Sequence, residues 1–209
     1  MELKEELKKA LTELRKNKER KFDQTVDLII NLQKFNTKKD TLNVFISVPH
    51  KIKEKRIAAF LEAKNPVVDT ITQDEFKKYN DKKALKKLVK KYDFFIAQAS
   101  LMPKVATTFG RVLGPAGKMP SPQLGIVMNV DDKTIAPLKD KVNKSVKIRT
   151  KEASIKVPIA KQSMEDGKIV ENIISVFNAL IKELPRDKEN IKNLEVKFTM
   201  TKPIKIKVR

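Results

Sequence analysis

The sequence predicts an α/β protein of two domains: a discontinuous α+β terminal domain with an antiparallel sheet, and an α/β domain inserted into it. Both ends of the chain alternate apolar and polar residues at period two, and each end carries one amphipathic helix. Residues 51–143 instead alternate short apolar runs with helical patterns, as a mostly parallel sheet requires. The change of pattern occurs twice, near Pro49 and near 142–145, so the chain crosses twice between the parts. The expected domains are 1–49 plus 144–209, and 50–143. One continuous domain is the alternative that patterning leaves open.

Leu3, Leu7, Leu11 and Leu14 recur at helical spacing with charges between them, which predicts a first amphipathic helix. In KFDQTVDLIINLQ, Phe22, Gln24, Val26, Leu28, Ile30 and Leu32 share one face, which predicts a half-buried strand. KFNTKKDT is a turn, and LNVFISV a second strand ending at Pro49. In the middle, RIAAFL, PVVDTI, DFFIA and IVMNV read as strands. Residues 74–91 read as helix with a break at 79–81, and a further helix begins near Pro103. SVKIR and ASIKV then alternate around a turn at KEAS, and EDGKIVENIISVFNALIKEL is a strong amphipathic helix stopped by Pro185. The end alternates again: Leu194, Val196, Phe198 and Met200 oppose Glu195, Lys197 and Thr199, and a last strand follows Pro203.

Charge is the loudest compositional signal. There are 46 Lys and Arg against 26 acids, a net +20. Such an excess favours polyanions, above all nucleic acid. A heat-adapted surface is the alternative, but it raises glutamate together with lysine. Aromatics are 6% of the residues and Trp is absent, so contact through backbone and shape is expected rather than base stacking. The C-terminal strands place Lys or Arg at alternate positions, a face suited to phosphates, with only Glu152 and Glu195 interrupting; a solvated face is the other reading. With no cysteine, disulfides and thiolate metal sites are excluded. With His50 as the one histidine, a zinc centre or a Ser-His-Asp triad is nearly excluded, and His50 reads as a loop residue beside Pro49. No apolar run approaches the ~18 residues of a membrane span. The N-terminus lacks an apolar leader core. A cytoplasmic location without membrane contact is expected.

Four of the five glycines fall in GRVLGPAGKMPSPQLG, residues 110–125. A phosphate-binding loop would need glycine at 112 and a hydroxyl after Lys118, where the chain has Val112 and Met119; Pro115 also removes an amide. A dinucleotide fingerprint fails on spacing. Asp131-Asp132 reads as a turn or helix cap rather than a metal site. No nucleophile–base pair is visible. By physics alone the stretch is a rigid, irregular basic loop. The rival functional reading is an α/β enzyme acting on a phosphorylated substrate, with 110–125 as its lid.

FGRVLGPAGKMPSP resembles the signature of the ribosomal protein L-one family, the mobile stalk proteins of the large subunit, with the pattern G-R-x-L-G-P-x-G-K-M-P. KFDQTVDLIINL, YDFFIAQASLMP and FTMTKP resemble three further family segments in order, and DFFIA and GKMP look like the archaeal branch. The resemblance implies two domains, the second a Rossmann-like insertion. It implies a protein that catalyses no reaction and needs no cofactor or metal. It implies binding of large-subunit ribosomal RNA through the terminal domain, movement with deacylated tRNA leaving the exit site, and repression of its own operon through a mimic site on the mRNA. A protein monomeric when free and ribosome-bound in the cytoplasm follows. The family's RNA-contacting motifs transfer onto Lys21, Phe22, Thr25, Lys151, Lys161, Ser163, Thr199, Met200 and Thr201. Simple alternation leaves core packing open for Phe22. Where the family has glycine after Thr-Met this chain has Thr201, and a β-branched residue resists positive φ, so the local backbone or contact differs.

Overall fold

The computed structural model describes residues 2–18, 20–37, 40–79, 81–128, 132–150 and 152–207. In chain order the elements are α1 (Glu2–Arg15), β1 (Thr25–Leu32), β2 (Asn43–Ser47), β3 (Ile57–Phe60), β4 (Asp69–Ile71), α2 (Lys82–Lys91), β5 (Phe94–Gln98), α3 (Met102–Leu113), β6 (Ile126–Val127), α4 (Asp132–Asn143), β7 (Ser145–Arg149), β8 (Ser154–Lys161), α5 (Asp166–Glu183), β9 (Ile191–Phe198) and β10 (Ile204–Ile206). Antiparallel and parallel sheets coexist in the mixed α/β architecture expected. The chain divides into two compact units, Met1–Lys53 with Lys144–Arg209, and Glu54–Asn143.

In the terminal unit, β10-β9-β1-β8 form one antiparallel sheet and β2 pairs with β7. The period-two residues Val26, Leu28 and Ile30 of β1 are fully buried, and Leu7 and Leu11 of α1 with Ile169 and Ile173 of α5 belong to the same core. Two readings change at the strand ends. Alternate burial runs one step beyond β1 to Gln24 and stops there; Lys21-Phe22 form a bend, and Phe22 is 51% exposed rather than packed in the core. Likewise β9 ends at Phe198, and Met200 lies in the following turn, 58% exposed. On the sheet's other face, register sets Lys197 opposite Asp27 and Lys205 opposite Glu195. Burial pushes the Asp27 carboxyl up while Lys197 pulls it down. The lysine-studded face is therefore diluted by Asp27 as well as by Glu195, and Asp27 joins it only through strand pairing.

The inserted unit has a parallel sheet ordered β4-β3-β5-β6. Its central strands β3 and β5 are apolar on both faces, as helices on both sides demand. Phe60 and Phe95 join the core under α2 and α3, whereas Ile57 and Ile96 join a second core under α4. Phe60, Phe95, Phe76 and Phe109 form one aromatic cluster, with Phe60–Phe109 centroids 4.8 Å apart. Residues 73–79 form a 3-10 helix and α2 starts anew at Lys82, the break expected near 79–81. The strand expected over PVVDTI shrinks to Asp69–Ile71, because the Asn65 side chain accepts from the Val67 amide and holds 65–67 in a turn. The end of the strand expected over IVMNV lies at Asn129 and Val130, outside the described residues. Over α4 the sequence reading goes no further than a turn or helix cap at Asp131-Asp132; the helix contains Pro137, and its Ile135, Leu138 and Val142 sit at helical spacing and pack inward.

The glycine-rich stretch is helical at first, since α3 runs through Gly110 to Leu113. Gly117 adopts φ 69°, a conformation that favours glycine. At Gly125 a Cβ would meet the backbone of Ser121, Pro120 and Phe95 at 3.0–3.2 Å. The Lys118 ammonium donates to the carbonyls of Val89 (2.7 Å) and Tyr92 (2.8 Å), at the C-terminus of α2. That is where a helix leaves acceptors over, so Lys118 holds a helix end rather than a phosphate.

Candidate nucleic-acid interface

Three chain segments meet at one end of the terminal sheet: the entry to β1, the exit of β8 and the exit of β9. Antiparallel register brings them together, with Thr25 opposite Lys161 and Val26 opposite Phe198. The ladder continues past the strands, because the Thr199 amide donates to the Thr25 carbonyl at 3.1 Å and Gln162 donates to the Gln24 carbonyl at 2.7 Å.

Side chains then tie the ends. The Thr25 amide donates to Thr199 Oγ1 at 3.0 Å. Lys161 Nζ donates to Thr25 Oγ1 (3.2 Å) and to the Asp23 carbonyl (3.3 Å). The Asp23 carboxylate accepts from the Ser163 amide and the Ser163 hydroxyl, both at 3.0 Å. Gln24 is buried and its Oε1 accepts from the Met200 amide at 3.0 Å, which orders the turn carrying the exposed Met200. Thr201 does not take the glycine conformation, as its φ is not positive. Its Oγ1 accepts from the Phe198 amide at 2.9 Å, and its own amide donates to the Phe198 carbonyl at 3.1 Å. Threonine thus closes the turn with its hydroxyl where glycine would do so by backbone freedom.

Lys21, Phe22, Thr25, Lys161, Ser163, Thr199, Met200 and Thr201 therefore lie together at one end of the sheet. Lys151 lies outside the described residues. The strand that follows it, β8, begins at Ser154 opposite Asn31, at the other end of the sheet from Lys161 and about 23 Å away along the strand.

Beside the joined ends is a surface cavity of about 440 Å³ lined by Arg15, Arg20, Lys21, Phe22, Asp23, Gln162 and Ser163. Arg15 is fixed by Asp166 (2.6 Å) and by the Met164 carbonyl (3.0 Å), so it braces the turn after β8. The arrangement offers cations, a hydroxyl and the exposed Phe22 around one concavity, with the exposed Met200 at the same end of the sheet. Phosphates and sugar hydroxyls are the ligands such a surface suits.

Comparison with known proteins decides the family. Residues 14–202 match the Ribosomal protein L1p/L10e family. The chain belongs to that family. It is 34% identical over 212 residues to the large ribosomal subunit protein uL1 of Nanoarchaeum equitans, covering 97% of this chain and 98% of that one. The uL1 of Thermoplasma acidophilum is 36% identical over 214 residues, covering 97% and 96%. That of Pyrobaculum arsenaticum is 35% identical over 205 residues, covering 93% and 89%. The resemblance carried by FGRVLGPAGKMPSP thus extends over nearly the whole chain, with archaeal relatives, and a ribosomal protein rather than an enzyme is the result.

Asp23, Gln24, Arg15, Arg20 and Gln162 are missing from the sequence-derived site. Gln24 had a legible signal, a polar residue in the inward register of β1. Asp23 had a weaker one, a lone acid after Arg20-Lys21. Arg15 had none, because its partners are about 150 residues away in sequence. His50 also gains a partner, with Nε2 2.6 Å from Glu171 Oε2, while buried Asn172 clasps the His50 amide and carbonyl.

Proposed function

We propose that the protein is a structural constituent of the large ribosomal subunit whose terminal unit binds large-subunit ribosomal RNA at the joined ends of β1, β8 and β9. The observation that carries this reading is the convergence of eight residues, from three segments, at one end of the sheet, three of which (Lys21, Phe22 and Ser163) line a basic concavity. On this reading the protein forms the mobile stalk involved in release of deacylated tRNA from the exit site. It represses translation of its own operon by presenting the same surface to a messenger site of the same shape.

Recognition works by shape. Thr25, Thr199 and Ser163 hold hydroxyls at set positions, Lys21 and Lys161 neutralise phosphates, and Phe22 and Met200 cover apolar sugar and base surface. The closed turn at Thr201 fixes the height of Met200.

Binding to a structured large-subunit RNA fragment at fixed salt tests this. Thr199→Val should weaken binding by about 1–2 kcal/mol, the order of one hydrogen bond removed plus the orphaned Thr25 amide. Thr199→Ser, which retains the oxygen, should bind within about twofold of the parent. An unchanged dissociation constant for Thr199→Val removes this end of the sheet from the interface. Competition between the fragment and the messenger leader tests the regulatory part, and failure to compete removes it.

A further inference from the structure

We propose that the solvent face of α2 is a second polyanion-binding surface, fitted to the phosphate backbone of an RNA duplex and separate from the interface on the terminal unit. The helix reads KKALKKLVKK, six lysines in ten residues with no acid. Leu85 and Leu88 are buried in the core of the inserted unit, while Lys83, Lys86, Lys87 and Lys90 are exposed. At 100° per residue these four lysines share an arc of about 100° opposite the leucines.

Helix stability does not account for this pattern. Lys83–Lys87 and Lys86–Lys90 are like-charge pairs at i,i+4, which destabilise a helix. Lys83 in the first turn also opposes the helix dipole. Glutamate at any of these positions would relieve both, and the chain has 26 acids elsewhere. Neighbouring acids already have partners. Asp81 accepts from the Lys83 amide, Asp69 from the Tyr92 hydroxyl, Asp93 from the Arg56 amide, and Glu75 stands 3.4 Å from Lys78 Nζ. The positive face is retained against local energetics, which points to a ligand.

The chemistry selects the occupant. A membrane-surface helix needs an apolar face free for lipid, and here that face is packed in the core. An acidic protein partner would ordinarily meet apolar or arginine anchors, and the exposed positions are all lysine. Lysines are hydrated point charges that neutralise phosphates without reading bases. Lys83 to Lys90 spans about 10 Å along the helix, enough for successive phosphates of one strand.

The test compares the full chain with Lys83→Gln/Lys86→Gln/Lys87→Gln/Lys90→Gln, using a plain RNA duplex of random sequence as probe. The variant should bind the duplex about tenfold more weakly, with a salt slope shallower by about 0.9 for each phosphate no longer neutralised. Its affinity for the large-subunit fragment should stay within twofold, and its melting temperature should not fall. The matching fourfold Lys→Arg chain should bind the duplex like the parent. Duplex affinity and slope unchanged in the glutamine variant would overturn the proposal. So would a weakening confined to vesicles of anionic phospholipid. Failure of the terminal interface would show instead as Thr199→Val leaving fragment binding intact, so the two readings fail separately.

Discussion

The terminal and inserted units bring positive charge to their surfaces in opposite ways. At the end of the terminal sheet several cations and hydroxyls are held by partners: Lys161 by the Asp23 carbonyl and Thr25, Ser163 by the Asp23 carboxylate, Arg15 by Asp166. On α2 the lysines project from a helix that contains no acid. Held groups give a fixed geometry, which can discriminate one RNA shape from another. Lysines on a bare face give charge without geometry, which adds affinity and salt sensitivity but little selectivity. Lys118 of the insert instead points inward to helix carbonyls, and Lys55 donates to the Val142 carbonyl at 2.6 Å.

The sharpest way to break this contrast is Asp23→Ala. By charge alone it should tighten binding to a polyanion, because it removes an acid from a basic cavity. If the Asp23 carboxylate positions Ser163, the same substitution should weaken binding to the large-subunit fragment by about tenfold or more. Titration at fixed salt reads the sign, and tighter binding would show that charge rather than geometry governs this end.

A smaller effect is expected at Lys118. Lys118→Ala should reduce the stability of the inserted unit by about 1–3 kcal/mol, since two carbonyls at the end of α2 lose their donor. Fragment binding should stay within about twofold. Denaturant unfolding measures the first and titration the second. Weakened RNA binding at full stability would instead make Lys118 part of an interface.

The smallest effect is electrostatic. The hydrogen bond from His50 holds the Glu171 carboxyl below the usual carboxylate range. A group with a depressed folded-state pKa stabilises the fold above its unfolded pKa, and that contribution is lost as pH falls through the folded one. The full chain should therefore lose a little stability on acidification below about pH 4.3, and Glu171→Gln should flatten that slope. Melting curves across this range decide it, and identical slopes would mean that the pair is not coupled to folding.

Much of the fold was legible because burial follows periodicity. Val26, Leu28 and Ile30 alternate and are buried, and the amphipathic run after Glu165 is α5. What was not legible has specific causes. Lys21-Phe22 and Thr199-Met200 continue the alternation in sequence but sit in a bend and a turn, set by hydrogen bonds to distant segments such as that of Gln24 to Met200. α4 follows the turn or cap read at Asp131-Asp132, and its inward residues Ile135, Leu138 and Val142 hold it helical despite Pro137. Asp27 lies next to Lys197 only once β1 and β9 pair.

The sequence by itself determined the two-part architecture, the basic character and, through GRVLGPAGKMPSP, the family, since these reside in local pattern and residue type. It also supplied eight residues that gather at one end of the sheet. Only the tertiary structure decided that Asp23 and Gln24 organise those residues, that Lys118 closes a helix rather than holding a phosphate, and that Thr201 closes a turn. For Asp23 and Gln24 the reason is physical: a hydrogen bond between segments more than 100 residues apart depends on strand register, and register is a property of paired strands.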